Sequence, residues 1–396
     1  MARVLDVSLD ALRRDRTSVK WRLYGPDVIP AWVAEMDAVP CPAVADAVSA
    51  AMARGDTGYT WAAPYAEALA RFAADRWAWE VDPASAMSMP DVMIGVLECL
   101  RLFTSRGDVV VVSPPCYSSF FEFIEGYGRR VLEAPLTPAG RLDETMLDRA
   151  FGAATAGGAR AAYLLSNPQN PTGVVHTRDE LTMLAAVAHA HGVRVIADEI
   201  HAPLVLTGAS FTPYLSVPGG ERGIALISAS KGWNLAGLKC ALAVPGGDAG
   251  ADLARVPEVA RHGASHLAAI AHTAALDEGR DWLDALLGEL DENRRHLAAR
   301  LAAELPDVGY RIPEATYLAW LDLRSTGLGD DPARALLDRA RVALSPGRIY
   351  GTPGRGFARL NFATSRPILD EILDRIVSAV VGQTRAAGRN TPGLSW

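Results

Sequence analysis

Lysine is almost missing from this chain. It occurs three times, at Lys20, Lys231 and Lys239, so of 39 Lys and Arg residues 36 are arginine (39 − 3 = 36). A chain rich in Ala and Arg has replaced lysine nearly everywhere, and a lysine that survives is a candidate for chemistry arginine cannot perform. A guanidinium stays protonated and delocalised, whereas an amine becomes a nucleophile once burial or a nearby cation lowers its pKa. Cysteine is scarce as well. Cys41, Cys99, Cys116 and Cys240 are scattered, with no C-x-x-C pair and no metal-ligand spacing. That pattern argues against a disulfide framework or a metal site and fits four reduced, packed thiols in a cytoplasmic protein.

Positive charge is not in excess: the net charge is −7, which argues against a nucleic-acid or anionic-membrane partner. No apolar run approaches the roughly twenty residues needed to cross a bilayer. The opening M-A-R-V-L-D-V-S-L-D is broken by acids where a signal peptide would carry an uncharged core. What is present is the composition of a globular protein, 49% hydrophobic and 21% charged, in 396 residues, long enough for two cores.

Between about residues 90 and 245 short apolar runs alternate with helical stretches. Asp108–Ser113, Ala161–Ser166, Val193–Asp198 and Ile224–Ser228 read as strands, and their lack of polar alternation predicts a sheet covered on both faces. Helical spacing over Leu181–His191 completes the pattern of an α/β domain with a largely parallel sheet. Beyond it the expectation is a long helix over 280–303, a strand pair at Tyr317–Leu323, a helix at Pro332–Ala343, a strand near Phe357–Phe362 and a closing helix at Leu369–Val381. The tail after Gly382 is expected to fray. This predicts a large domain over 40–285 and a smaller α+β domain built from 1–39 and 286–390.

Three strand ends carry polar residues where an α/β sheet presents its ligand crevice. V-I-A-D-E-I-H places Asp198 and His201 after a buried strand, and an acid there requires a positive or protonated partner. I-A-L-I-S-A-S-K sets Ser228 and Ser230 beside Lys231, and S-N-P-Q-N-P-T-G fixes a loop carrying Asn170. A Schiff-base amine, a carboxylate for a protonated pyridine nitrogen and hydroxyls for a phosphate are the requirements of pyridoxal phosphate.

N-P-x-N-P-T-G, A-D-E-I-H and S-x-S-K-x-x-N-L-A-G-L, in this order, resemble the fold-type I pyridoxal-phosphate enzymes of aminotransferase class I/II. W-V-A-E-M-D at 32–37, G-Y-T at 58–60, P-P-C-Y at 114–117, T-Y-L-A-W-L-D-L at 316–323 and R-L-N-F-A at 359–363 narrow the resemblance to the MalY/PatB type of cystathionine β-lyases, or C–S lyases. The resemblance implies a mostly parallel sheet of the seven-stranded type sandwiched by helices, with a smaller C-terminal α+β domain. It makes Lys231 the Schiff-base lysine, Asp198 the partner of the pyridine nitrogen, and Asn170 and His201 neighbours of the cofactor's 3-oxygen. It stacks Tyr117 on the ring and assigns Ser228, Ser230 and Lys239 to the phosphate. Gly95, Val96 and Leu97, expected to open a helix, would add backbone N–H groups there. Tyr59 would reach the phosphate from the neighbouring subunit of a homodimer with shared sites. Arg359 would clamp the substrate carboxylate beside Ala34 and Asn170.

The implied reaction is β-elimination from an S-substituted L-cysteine, giving a thiol, pyruvate and ammonia. An aminotransferase uses the same residues and remains a second expectation. The sequence departs from the family's pattern at Ala38, where an aromatic is usual, and at Trp233, where phenylalanine is. Both are expected to reshape the side-chain pocket, which motivates a third reading: cleavage or oxidative deamination of a bulky S-conjugated amino acid. A regulatory protein that keeps the fold and binds a partner is a fourth.

Overall fold

The computed structural model describes residues 3–388, with side chains described through residue 382. Eight strands come first in the chain: β1 (Ile29–Pro30), β2 (Met87–Met89), β3 (Val109–Val112), β4 (Arg130–Glu133), β5 (Ala161–Ser166), β6 (Arg194–Asp198), β7 (Ile224–Ile227) and β8 (Ala241–Pro245). All but β1 form a seven-stranded sheet in the order β2-β8-β7-β6-β5-β3-β4. The ladders from β4 to β7 are parallel, and β8 is the reversed strand, antiparallel to both β7 and β2.

The apolar runs that lacked alternation are the central strands, and the packing explains why. Along each strand successive side chains enter two different cores. Val111, Tyr163, Leu165, Val195, Ala197 and Ala225 belong to one core, and Val110, Ala162, Leu164, Ile196, Ile224 and Leu226 to the other. A strand with period two and apolar matter on both sides has no polar face to show. Three strands of this sheet, β2, β4 and β8, have no counterpart in the sequence expectation.

A second sheet is antiparallel, in the order β12-β13-β10-β9, from β9 (Gly309–Tyr310), β10 (Leu318–Asp322), β12 (Ser345–Pro346) and β13 (Phe357–Asn361). The expected strand pair at 317–323 is therefore one strand. The short β11 (Val342–Ala343) pairs in parallel with β1, which ties the N-terminal residues to this part of the fold. Helices Arg280–Glu304 and Pro332–Ala340 match the expectation closely. The closing helix runs over Arg366–Gly388, past the point where fraying was expected, and position 390 of the expected small domain lies outside the described residues. Among the described residues no helix is long and apolar enough to cross a membrane.

The stretch after β1, Trp32–Asp37, bends at Trp32–Ala34 and joins the two sheets. It is anchored by Lys20, whose buried ammonium donates to Asp37 Oδ1 at 2.7 Å and to the Glu35 carbonyl at 2.9 Å. Trp21 Nε1 donates to the same carboxylate oxygen at 3.2 Å, and the Asp37 N–H reaches the Ala363 carbonyl at 2.9 Å. Lys20→Ala leaves the Asp37 carboxylate buried without its cation and is expected to lower the unfolding free energy by about 3–5 kcal/mol. Removing the exposed Arg334–Asp338 pair is expected to cost about 0–1 kcal/mol. Urea unfolding of both variants checks this, and equal losses would contradict it.

Candidate active site

The crevice lies where β5, β6 and β7 end. Ser166 and Asp198 are register partners at the last positions of β5 and β6, and Ser228 follows the last residue of β7. A cavity of about 440 Å³ opens there, lined among others by Ala34, Tyr117, Asn170, Asp198, His201, Ser228, Ser230, Lys231, Lys239 and Arg359. Residues spread over more than three hundred positions of sequence thus share one wall.

Lys231 Nζ donates to the Ala34 carbonyl at 2.8 Å. Its side chain is enclosed by protein yet open to the cavity, and burial, then the Arg359 cation, pull its pKa from 10.5 down to about 8 against the opposing pull of Asp198. Asp198 Oδ1 accepts the Ile200 N–H at 3.1 Å. Burial raises the Asp198 pKa to about 7, because Lys231 is too weak a partner to offset the loss of water. His201 is buried, its Nδ1 has no hydrogen-bond partner, and burial with the nearby Lys231 and Arg359 cations pushes its pKa down to about 3. It is a neutral imidazole at any ordinary pH.

Arg359, on β13, is buried and crosses from the second sheet to the first. Its guanidinium donates to Asn170 Oδ1 at 2.9 Å and to the Trp32 carbonyl at 2.8 Å, lies 5.1 Å from the Tyr350 ring centroid, and keeps a buried Nε with no partner. Ser228 Oγ donates to the Cys240 carbonyl at 2.7 Å and accepts the Ser230 N–H at 3.2 Å. Its hydroxyl therefore helps shape the loop that carries Lys231.

Gly95, Val96 and Leu97 do not open a helix. The helix begins at Val92, with Asp91 as its N-cap, and the Gly95 N–H is already spent on the Asp91 carbonyl at 3.0 Å. Gly95 serves packing instead: a Cβ there would lie 2.7 Å from Leu226 Cδ2, while Val96 and Leu97 are core residues. The first-turn N–H groups sit one turn earlier, and Asp91, Val92 and Met93 line the cavity. An acid directly before an apolar run is an N-cap signal that would have located this start. Tyr59 is not on its own chain's cavity wall and is 94% exposed. Ala38 and Trp233 are likewise absent from that wall. Both are buried in the core, with Trp233 Nε1 donating to the Gly279 carbonyl, so neither reshapes the pocket directly.

The sequence matches the family model described as aminotransferase class I and II over residues 33–376. The chain belongs to the aminotransferase class I and II family. Among its relatives, a Mycobacterium tuberculosis protein named "Putative cystathionine beta-lyase" is 52% identical, over 94% of this chain and 96% of its own length. Cystathionine β-lyase PatB of Bacillus subtilis is 34% identical, over 92% of this chain and 96% of its own. A solved structure described as a "putative plp-dependent beta-cystathionase" from Corynebacterium diphtheriae superposes with a TM-score of 0.89 at 35% identity, covering 96% of this chain and 99% of that one. As in other fold-type I members of the aminotransferase class I and II family, the large sheet has seven strands and helices cover it.

The Lys231 environment makes a direct prediction for the cofactor-free protein. An amine reacts only when deprotonated, so a lowered pKa brings its reactivity to lower pH. Amine-directed labelling followed by mass spectrometry is expected to give a Lys231 midpoint near pH 8. In Arg359→Gln a cation that opposes protonation is gone, and the midpoint is expected to rise. A wild-type midpoint near the ordinary 10.5 would contradict the geometry.

Proposed function

We propose that the chain is a pyridoxal-phosphate-dependent β-lyase that breaks the C–S bond of an S-substituted L-cysteine, releasing a thiol, pyruvate and ammonia. The observation that carries the reading is the meeting of a depressed lysine, a buried carboxylate and a buried arginine in one cavity. The names borne by the relatives favour C–S cleavage over transamination. The cofactor fits this wall on three counts. Asp198 is a buried acid without a full countercharge, which a protonated ring nitrogen would supply. His201 Nδ1 and Arg359 Nε are buried polar atoms that await a partner. Lys231 is an amine already partly unprotonated near neutral pH.

When bound, pyridoxal phosphate supplies an electron sink for the pair left at the substrate Cα. The protein's own residues do the rest. Lys231 would anchor the cofactor, and its free Nζ would take the Cα proton. Arg359 would hold the α-carboxylate: each terminal nitrogen retains an N–H beyond those given to Asn170 and Trp32, and Asn170 fixes the plane of the fork. A thiol of pKa about 8.5 leaves without strong acid assistance, which suits a wall whose histidine is neutral.

Tyr59 and Trp61, 94% and 74% exposed, fit a surface covered by a second copy, and a homodimer with shared sites is part of this reading. So are the division into domains of 40–285 and 1–39 with 286–390, and a cytoplasmic location, which four free buried cysteines suit.

Purified protein given L-cystathionine is expected to release pyruvate, ammonia and thiol in equal amounts. Accumulation of the pyridoxamine form, reversed only by a keto acid, would make it an aminotransferase instead. Lys231→Ala is expected to abolish both turnover and the imine absorbance of the cofactor-loaded protein, and pyruvate formation by that variant without an added amine would sink the assignment.

A further inference from the structure

The N-terminus of helix Val92–Phe103 carries a carboxylate on the same wall as the cations of the cavity. Asp91 Oδ1 accepts the Ile94 N–H at 2.8 Å, and its Oδ2 accepts from Lys239 Nζ at 2.9 Å. This leaves the first-turn N–H groups of Val92 and Met93 beside an ion pair of zero net charge, with Asp91, Val92, Met93, Ser230, Lys231 and Lys239 all lining one cavity. The helix end attracts an anion, and so does Lys239, but Asp91 opposes one. Asp91 is only partly buried, so its effect is softened by solvent yet acts at contact range.

We propose that Asp91 is a built-in competitor of the cofactor phosphate, sharing Lys239 with it and making the hold on the phosphate looser than the surrounding donors alone would give. The inference rests on the cofactor reading above. A phosphate arriving at the first turn of this helix must share Lys239 with a carboxylate that already holds it, and must sit beside that carboxylate. Asp91 also caps the helix, a task asparagine or serine performs equally well, so the charge can be removed while the cap stays.

The test is titration of the cofactor-free protein with pyridoxal phosphate, followed by visible absorbance. Asp91→Asn is expected to bind about tenfold more tightly and to release the cofactor more slowly, the order for one charge removed a few ångströms from a dianion at a partly solvated site. Pyridoxal, which lacks the phosphate, is expected to bind both proteins equally, and inorganic phosphate to compete better against the variant. Lys239→Gln is expected to weaken pyridoxal phosphate binding. Asp91→Ser, which also caps, replaces Asp91→Asn if that variant folds poorly. Unchanged or weaker affinity in a folded, capped variant overturns the proposal, as does an equal gain with pyridoxal. Failure of the cofactor reading itself looks different: the wild-type protein would take up no pyridoxal phosphate, or Lys231→Ala would give the same absorbance.

Discussion

The structure depends on the backbone of the W-V-A-E-M-D stretch, through its carbonyls more than its side chains. A buried carbonyl must find a donor or cost free energy comparable to a lost hydrogen bond, and from Trp32 to Met36 every carbonyl receives one from a side chain. Trp32 accepts from Arg359, Val33 from Asn361, Ala34 from Lys231 and Tyr317, Glu35 from Asn361 and Lys20, and Met36 from Asn234. Lys231 and Asn234 belong to the segment after β7, whereas Arg359 and Asn361 belong to β13 and Tyr317 directly precedes β10. The same hydrogen bonds that satisfy this strap therefore bring the two sheets together at the cavity and aim its lysine and arginine.

Electrostatics inside the cavity follow from that closeness. Burial drives Lys231 and Asp198 toward their neutral forms, which is why the amine titrates near 8 and the acid near 7. The neighbouring Glu199, its Oε1 accepting the Tyr214 N–H, is pushed up to about 8 by burial and stays largely protonated. Asp198 thus does not face a second full negative charge at the next residue. Arg359 does not neutralise, because its guanidinium cannot readily lose a proton, and so it imposes a permanent positive potential on Lys231 and His201. A carboxylate ligand would relieve that potential, and its arrival would couple to the proton on the amine.

Much of this was legible in the sequence, for a physical reason. Strands buried on both faces are written as unbroken apolar runs, and β3, β5, β6 and β7 could be read to within a residue or two. Strand β4, at the sheet edge, begins with an exposed arginine and ends in a half-buried glutamate, so R-V-L-E gives no such signal. Strand β2 is three residues long, too short to establish any period. The residues of the cavity wall at Lys231, Asp198, Asn170 and Arg359 were found because their local strings are distinctive. Gly95, Val96 and Leu97 were misread because the helix was expected to open there, whereas it begins at Val92 and Gly95 admits Leu226. Ala38 and Trp233 were misread because a sequence neighbour of a site residue need not face the site. Trp233 is two residues from Lys231 and points into the core against Phe72.

The scarcity of lysine reads differently once all three are placed. Lys20 is buried, donating to one carboxylate and one carbonyl, with its charge 5.6 Å from the Trp21 ring centroid. A guanidinium there would bring five N–H groups into a space that offers few acceptors, and the excess would be left unpaired. The proposed chemistry at Lys231 needs a group that can lose its proton. Lys239 meets Asp91 as a single point charge at the mouth of the cavity, where a rigid bidentate fork would hold that carboxylate more firmly. In the proposed function only Lys231 serves nucleophilic chemistry. At the other two a compact ammonium pairs without imposing a plane, once in the anchor of the strap and once with Asp91 beside the cavity.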